Sequence, residues 1–214
     1  RISEDPVNVE RREAWYRHDA GMSGRPMVLI EHGGVADKIR PFTDAGFECT
    51  DPWARSVEWG LRPEMYQFDT LKDDHVIDAN FSTGWWVSGT DYGMHAVNHQ
   101  GDNDGRMSSR RWDPPIVDFD RDFPKLRKRT WTVNREGSLA NRDRLHALFD
   151  GILNVRMRGG FWWTMGLTWA AIDLIGLENL MLWMYDNPKG LHALMAFLRD
   201  DHLAYAHWLE KECL

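Results

Sequence analysis

The chain is poor in cysteine: Cys49 and Cys213 are the only two in 214 residues. Two thiols build neither a disulfide framework nor a zinc ribbon, and their scarcity points to a reducing compartment, the cytoplasm. Positive charge is short as well. The 26 Lys and Arg face 33 Asp and Glu, a formal net charge of −7. That balance argues against a general nucleic-acid or anionic-membrane binder, yet it leaves room for a small anion held by a few local arginines. Long charge-free apolar runs are missing too. The most apolar stretch, residues 161–185, carries Asp173 and Glu178 and is interrupted by Gly166 and Gly176. An acid near the bilayer centre costs about 2.5–3.5 kcal/mol on insertion scales, so this stretch reads as a loop followed by a buried helix, and no membrane partner is expected.

Most catalytic signatures are absent. There is no G-x-S-x-G, no G-x-G-x-x-G after a strand, no P-loop and no H-E-x-x-H. Asp102-Asn103-Asp104-Gly105 resembles a calcium loop, but Gln100 and Arg111 stand where that loop needs acids. His95 and His99 are four apart in Gly-rich surroundings, where a helix presenting both to a metal is not expected; they read as solvated loop histidines. Tryptophan is plentiful, with 12 against 9 Phe and 5 Tyr. Core and interface packing accounts for most of these rings, and an aromatic ligand platform is the sharper alternative. A hydrophobic share of 43% and a charged share of 28% are those of an ordinary globular chain, which excludes intrinsic disorder.

Residues 7–20 form a polar, Arg-rich helical pattern around Trp15 and Tyr16, and residues 27–30 a short apolar run closed by Glu31-His32-Gly33-Gly34. Such a run suits a strand buried on both faces of a parallel sheet. Asp51 and Pro52 cap and open a helix through Val57 and Leu61. Residues 76–83 alternate, with Ile77, Ala79 and Phe81 on one face and Asp78, Asn80 and Ser82 on the other. Residues 84–115 read as a hairpin or long-loop insertion. A helix over 139–149 buries Leu145, Leu148 and Phe149 and stops at Gly151. Residues 152–158 alternate again, with Leu153, Val155 and Met157 opposite Asn154, Arg156 and Arg158. Two helices follow, at about 170–185 and from Asn187-Pro188 to about Glu210. In the second, Leu191, Met195, Leu198, His202, Tyr205 and Leu209 form one stripe, on which His202 reads as a hydrogen-bonded packing residue.

Strands separated by helices indicate an α/β chain with parallel pairing. A doubly wound sheet would bury the polar faces of two strands at a cost, whereas a barrel interior can be polar at its mouth. The pattern therefore favours a barrel, although an edge strand with one wet face would look the same. The expectation is a single domain over residues 1–214 and, since eight strands and helices usually need about 250 residues, only part of a TIM-type (β/α)8 barrel, roughly its first half. Site candidates follow from strand ends and inward faces. Glu31 and His32 are candidate catalytic groups, or a polar pair making a turn. Arg156 and Arg158 are candidate anion ligands, or partners of the chain's own acids. Asn80, Trp85 and Trp86 complete the candidate substrate-binding set, expected in one cavity with the others.

Several passages resemble the uroporphyrinogen decarboxylase superfamily. They are Gly159-Gly160-Phe161-Trp162-Trp163, Leu177-Glu178-Asn179-Leu180-Met181-Leu182 and Tyr185-Asp186-Asn187-Pro188 before the long helix. Asp73-Asp74-His75-Val76-Ile77, Tyr92-Gly93 and Pro114-Pro115-Ile116-Val117-Asp118 belong to the same likeness, which spans about residues 25 to 214. The resemblance implies a TIM-type barrel enzyme. Its leading chemistry is methyl transfer with a corrinoid-protein partner; the alternatives are decarboxylation of a porphyrinogen-like or other polycarboxylate, and a non-catalytic ligand binder. True decarboxylases carry Met-Arg-Gln-Ala-Gly-Arg after the first strand, where this chain has Ile30-Glu31-His32-Gly33-Gly34, without a matching arginine. Family methyltransferases hold zinc with a His-x-Cys and a later Cys in the second half of the barrel. Zinc is therefore expected only through residues beyond Leu214, and no cofactor within the chain. A half-barrel leaves apolar surface bare, so the expectation is a homo-oligomer or a missing remainder of the barrel.

Overall fold

The structure, a computed structural model, describes residues 1–22, 24–30, 46–100, 110–160 and 166–214. It is a mixed α/β protein in which helix predominates. Its described residues fall into two compact units, Arg1–Asn80 and the segments Phe81–Asp102 and Ser108–Leu214.

The first unit begins with α1 (Pro6–Asp19), which Asp5 caps by accepting from the Val7 N–H at 3.0 Å, with Pro6 at the first helical position. The helix α2 (Pro52–Tyr66) starts as its sequence requires, with Asp51 accepting from the Ala54 N–H at 2.8 Å. A π-helical turn, Gln67–Leu71, follows and ends at Lys72 in the left-handed region, φ 53°. Polar groups hold this unit together. Asn8 is fully buried, donates to the Ser3 and Ile77 carbonyls and accepts from the Ile77 N–H. The Trp15 indole donates to the Asp74 carbonyl at 2.7 Å. Among the described residues of this unit, Val57 is the one buried aliphatic side chain, whereas Asn8, Arg11, Gln67, Asp73 and Asp74 are all buried.

Residues 27–30 depart from expectation. They form no strand, and Val28, Leu29 and Ile30 are 54%, 53% and 44% exposed. Their hydrogen bonds go largely to side chains: Val28 N–H donates to Asp74, Ile30 N–H donates to Asp73, and the Ile30 carbonyl accepts from Gln67. Carboxylates and an amide thus satisfy the backbone where a neighbouring strand was expected.

The described residues of the second unit form six short strands: β1 (Asn80–Gly84, whose first residue closes the first unit), β2 (Trp86–Gly89), β3 (Val97–Gln100), β4 (Arg110–Asp113), β5 (Trp131–Asn134) and β6 (Asn154–Arg158). They form three two-stranded sheets, β1 with β6, β2 with β5 and β3 with β4, and no closed barrel among the described residues. The expected parallel pairing fails for two of the sheets. β2 and β5 run antiparallel, with Val87 opposite Val133, and β3 and β4 form an antiparallel hairpin with Asn98 opposite Trp112. For β3 and β4 the antiparallel pairing brings two segments of the stretch read as an insertion side by side.

Its helices are α3 (Phe119–Asp122), α4 (Arg135–Leu148), α5 (Thr168–Asp186) and α6 (Pro188–Glu212). Asn134 caps α4 through the Gly137 N–H and Asn187 caps α6 through the Gly190 N–H, at 2.9 and 3.0 Å. Leu145 and Phe149 are buried as expected, while Leu148 is exposed. Within α5, Gly176 takes φ 79° and breaks the helical path, with Pro114 packed 3.4 Å from where a Cβ would sit. The core is apolar: Ile116, Ala171, Leu174, Ile175, Leu180, Leu194 and Leu198 are buried together. The α6 stripe joins this core through Leu191, Met195 and Leu198, supplemented by Leu194. Trp131 packs on Tyr205 and Trp208, and Trp183 on Phe119, so these tryptophans serve packing.

Candidate functional site

The expected site residues are dispersed. Glu31 and His32 lie outside the described residues. On β6 the alternation holds, with Val155 buried and Met157 partly buried, so Asn154, Arg156 and Arg158 share the opposite face and are exposed. That face points to no barrel interior among the described residues. Asn80 is half-buried, and its Oδ1 is enclosed without a hydrogen-bond partner. Trp85 lies under the Arg135 guanidinium at 5.2 Å. The Trp86 N–H donates to Ser138 Oγ at 2.9 Å, and its ring fills the space where a Cβ on Gly137 would sit. Both tryptophans are thus engaged in holding β2 and α4. Of the described side chains named in advance as site candidates, none lines the cavity that follows.

That cavity, of about 610 Å³, lies in the first unit. Its floor is one face of α1: Val7, Glu10, Arg11, Ala14, Arg17 and His18 recur at three- and four-residue intervals and so line up along the helix. The far walls are Met22 and the segment from Gly24 to Met27, with Lys72 and Asp74.

Its electrostatics are uneven. Asp74, 5% exposed, accepts from Nη1 and Nη2 of the Arg25 guanidinium and from the Val28 N–H. The bond from Arg25, opposed by burial and helped by the Val28 N–H, holds this carboxyl down at about 2. The same bond raises the Arg25 pKa. Asp74 is therefore a committed anion. Arg11 is the opposite case. It is 7% exposed, and its Nη1 is enclosed without a hydrogen-bond acceptor. Its guanidinium stands over the Phe68 ring at 5.3 Å, which offsets part of the cost of burying the charge. Arg17 faces Glu13 at 4.0 Å with both side chains more than half exposed, a pair of little energetic weight. Four cations, Arg11, Arg17, Arg25 and Lys72, thus meet two carboxylates, Glu10 and Asp74, around one cavity. Such a lining favours an anion over a cation.

The sequence reading took residues 7–20 as a polar, Arg-rich helical pattern and singled out none of these side chains as a site candidate. A signal was present: arginines at 11 and 17 fall on the same side as Val7 and Ala14, an unusual mixture for a face turned wholly to water.

Comparison with protein-family models, curated proteins and solved structures finds no match. Among the described residues no helix is long and apolar enough to cross a membrane, and no group of three or more His, Cys, Asp or Glu is placed to hold a metal ion.

Proposed function

We propose that the first unit binds an anionic small molecule, and that the chain serves an enzyme of the uroporphyrinogen-decarboxylase-like kind. The observation that supports the reading is the buried Arg11, whose Nη1 has no acceptor, in the wall of a cavity with a surplus of cations. A buried guanidinium is costly without an acceptor for its N–H groups, and Asp74, the buried carboxylate on the same cavity, acts on Arg11 only through space because its oxygens are taken by Arg25. An anion entering the cavity supplies the missing acceptor.

The partial barrel and methyl transfer with a corrinoid partner in the cytoplasm belong to the same proposal, on the strength of the sequence resemblance. Decarboxylation of a polycarboxylate is the second reading. It is favoured by the arginine set itself, since guanidinium groups hold carboxylates and stabilise charge developing on them. The test is to incubate the protein with methylcobalamin and 2-mercaptoethanol, and separately with uroporphyrinogen. Loss of the cobalt–methyl absorption or release of CO2, reduced in Arg11→Met, supports the corresponding chemistry. Anion binding with neither activity makes the protein a binder and overturns the enzymatic half. Absence of both overturns the proposal.

A further inference from the structure

We infer that the ligand of the first-unit cavity is an organic dianion: a compact doubly charged head, phosphomonoester or dicarboxylate, carried on an apolar body. The inference rests on the anion-binding reading of the same cavity and adds charge number and shape to it.

Charge number follows from the lining. Asp74 and Glu10 both act on Arg25, and Glu13 faces Arg17 at 4.0 Å. Arg11 and Lys72, without a carboxylate partner in the lining, are the two cations left to a ligand, with the exposed Arg17 beside them. A monoanion would leave one of them uncompensated beside a buried guanidinium, which is the costly arrangement. The three cations differ usefully. Arg11 is fixed by burial over Phe68, so it offers a planar fork with little ordering left to lose. Arg17 and Lys72 are exposed and can swing onto the second charge.

Shape follows from volume and from the remaining wall. A cavity of about 610 Å³ lies within the range for organic ligands and far exceeds an inorganic anion. Val7, Ala14, Met22, Pro26 and Met27 present hydrocarbon and thioether surface around it. Methionine adapts to irregular apolar shapes, so this wall suits an apolar body while the arginine side takes the head.

Isothermal titration at pH 8, where a phosphomonoester carries close to two charges, compares four probes: phenyl phosphate, phenyl sulfate, phenylsuccinate and inorganic phosphate. Phenyl phosphate is expected to bind about tenfold or more tighter than phenyl sulfate, which has nearly the same shape and one charge fewer. It is also expected to bind more tightly than inorganic phosphate. The stronger of phenyl phosphate and phenylsuccinate identifies the head. Arg11→Met is expected to bring phenyl phosphate down to the level of phenyl sulfate and, in the ligand-free protein, to raise Tm, because a buried charge is replaced by an apolar chain of similar length. A purely structural arginine would instead lower Tm. If Arg11→Met does not fold, Lys72→Gln and Arg17→Gln on the surface are each expected to weaken phenyl phosphate several-fold. Equal affinity for phenyl phosphate and phenyl sulfate overturns the dianion while leaving anion binding in place. Equal affinity for phenyl phosphate and inorganic phosphate overturns the apolar body. No binding of any probe to protein with a cooperative melt overturns both the inference and the reading beneath it.

Discussion

The two units of this chain are stabilised by different physics. In the second, seven apolar side chains of the 116 loop, α5 and α6 share one buried cluster. In the first, among the described residues, one buried aliphatic chain accompanies five buried polar or charged ones. An apolar core is non-directional and tolerates any solution of the volume. A polar network is directional: each donor must meet its acceptor, and a group left over costs free energy. One leftover in the first unit, Arg11, lines a cavity. Where packing is apolar, a site has to be carved out of it; where it is polar, a site can arise from one partner left open.

The largest expected effects lie in the second unit. Asp201 is fully buried and receives the Arg129 N–H and guanidinium at 2.9 and 2.7 Å. Asp201→Ala leaves that arginine uncompensated and is expected to cost about 3–5 kcal/mol. Leu194→Ala, in the centre of the cluster, is expected to cost about 2–5 kcal/mol as a cavity. Denaturant titration checks both, and a loss under 1 kcal/mol for Leu194→Ala would deny the apolar account. In the first unit the counterpart is Asn8→Ala. It removes no comparable apolar volume but orphans the N–H and carbonyl of Ile77, for about 1–3 kcal/mol. Rescue by Leu at this position would show that volume rather than hydrogen bonding matters there.

Acid sharpens the contrast further. Asp74 and Glu58 are both held at about 2 in the folded chain, against ordinary values of 3.8 and 4.5. For Asp74 the main cause is Arg25; for Glu58 it is the Glu48 N–H, with the Cys49 N–H and Arg62 adding to it. A carboxyl depressed by folding contributes stability that is fully present above its unfolded pKa and is lost as pH falls through the folded one. The first unit is therefore expected to loosen between about pH 4.5 and about pH 2. Asp122, also well below the carboxylate range because of Arg121 and Lys125, ties only the 117–125 loop of the second unit. Amide exchange at pH 2.5 is expected to show α1 and α2 opened while α5 and α6 keep their protection. Equal loss in all four helices would remove the distinction.

What could be read from the sequence follows the same division. Helix ends were legible, because Asp51-Pro52 and Asn187-Pro188 are local signals that need no tertiary partner. The α6 stripe and the β6 alternation were legible because apolar burial leaves a period. The apolar run at 27–30 misled, because its partners are the side chains of Asp73, Asp74 and Gln67, more than thirty residues away, and no period marks such a pairing. The cavity was hidden for the same reason. Arg11 and Arg25 look alike in sequence, and only the fold gives one of them a carboxylate and leaves the other without an acceptor.

The central claim is that Arg11 is a buried cation waiting for an anion. Arginine side-chain NMR on the 15N-labelled protein, titrated with phenyl phosphate at constant ionic strength, addresses it directly. The expected result is a saturable shift of the Arg11 guanidinium resonances with slowed hydrogen exchange, while Arg156 and Arg158 on the exposed face of β6 stay in place. An unmoved Arg11, with small linear drifts spread over the exposed arginines, would contradict it.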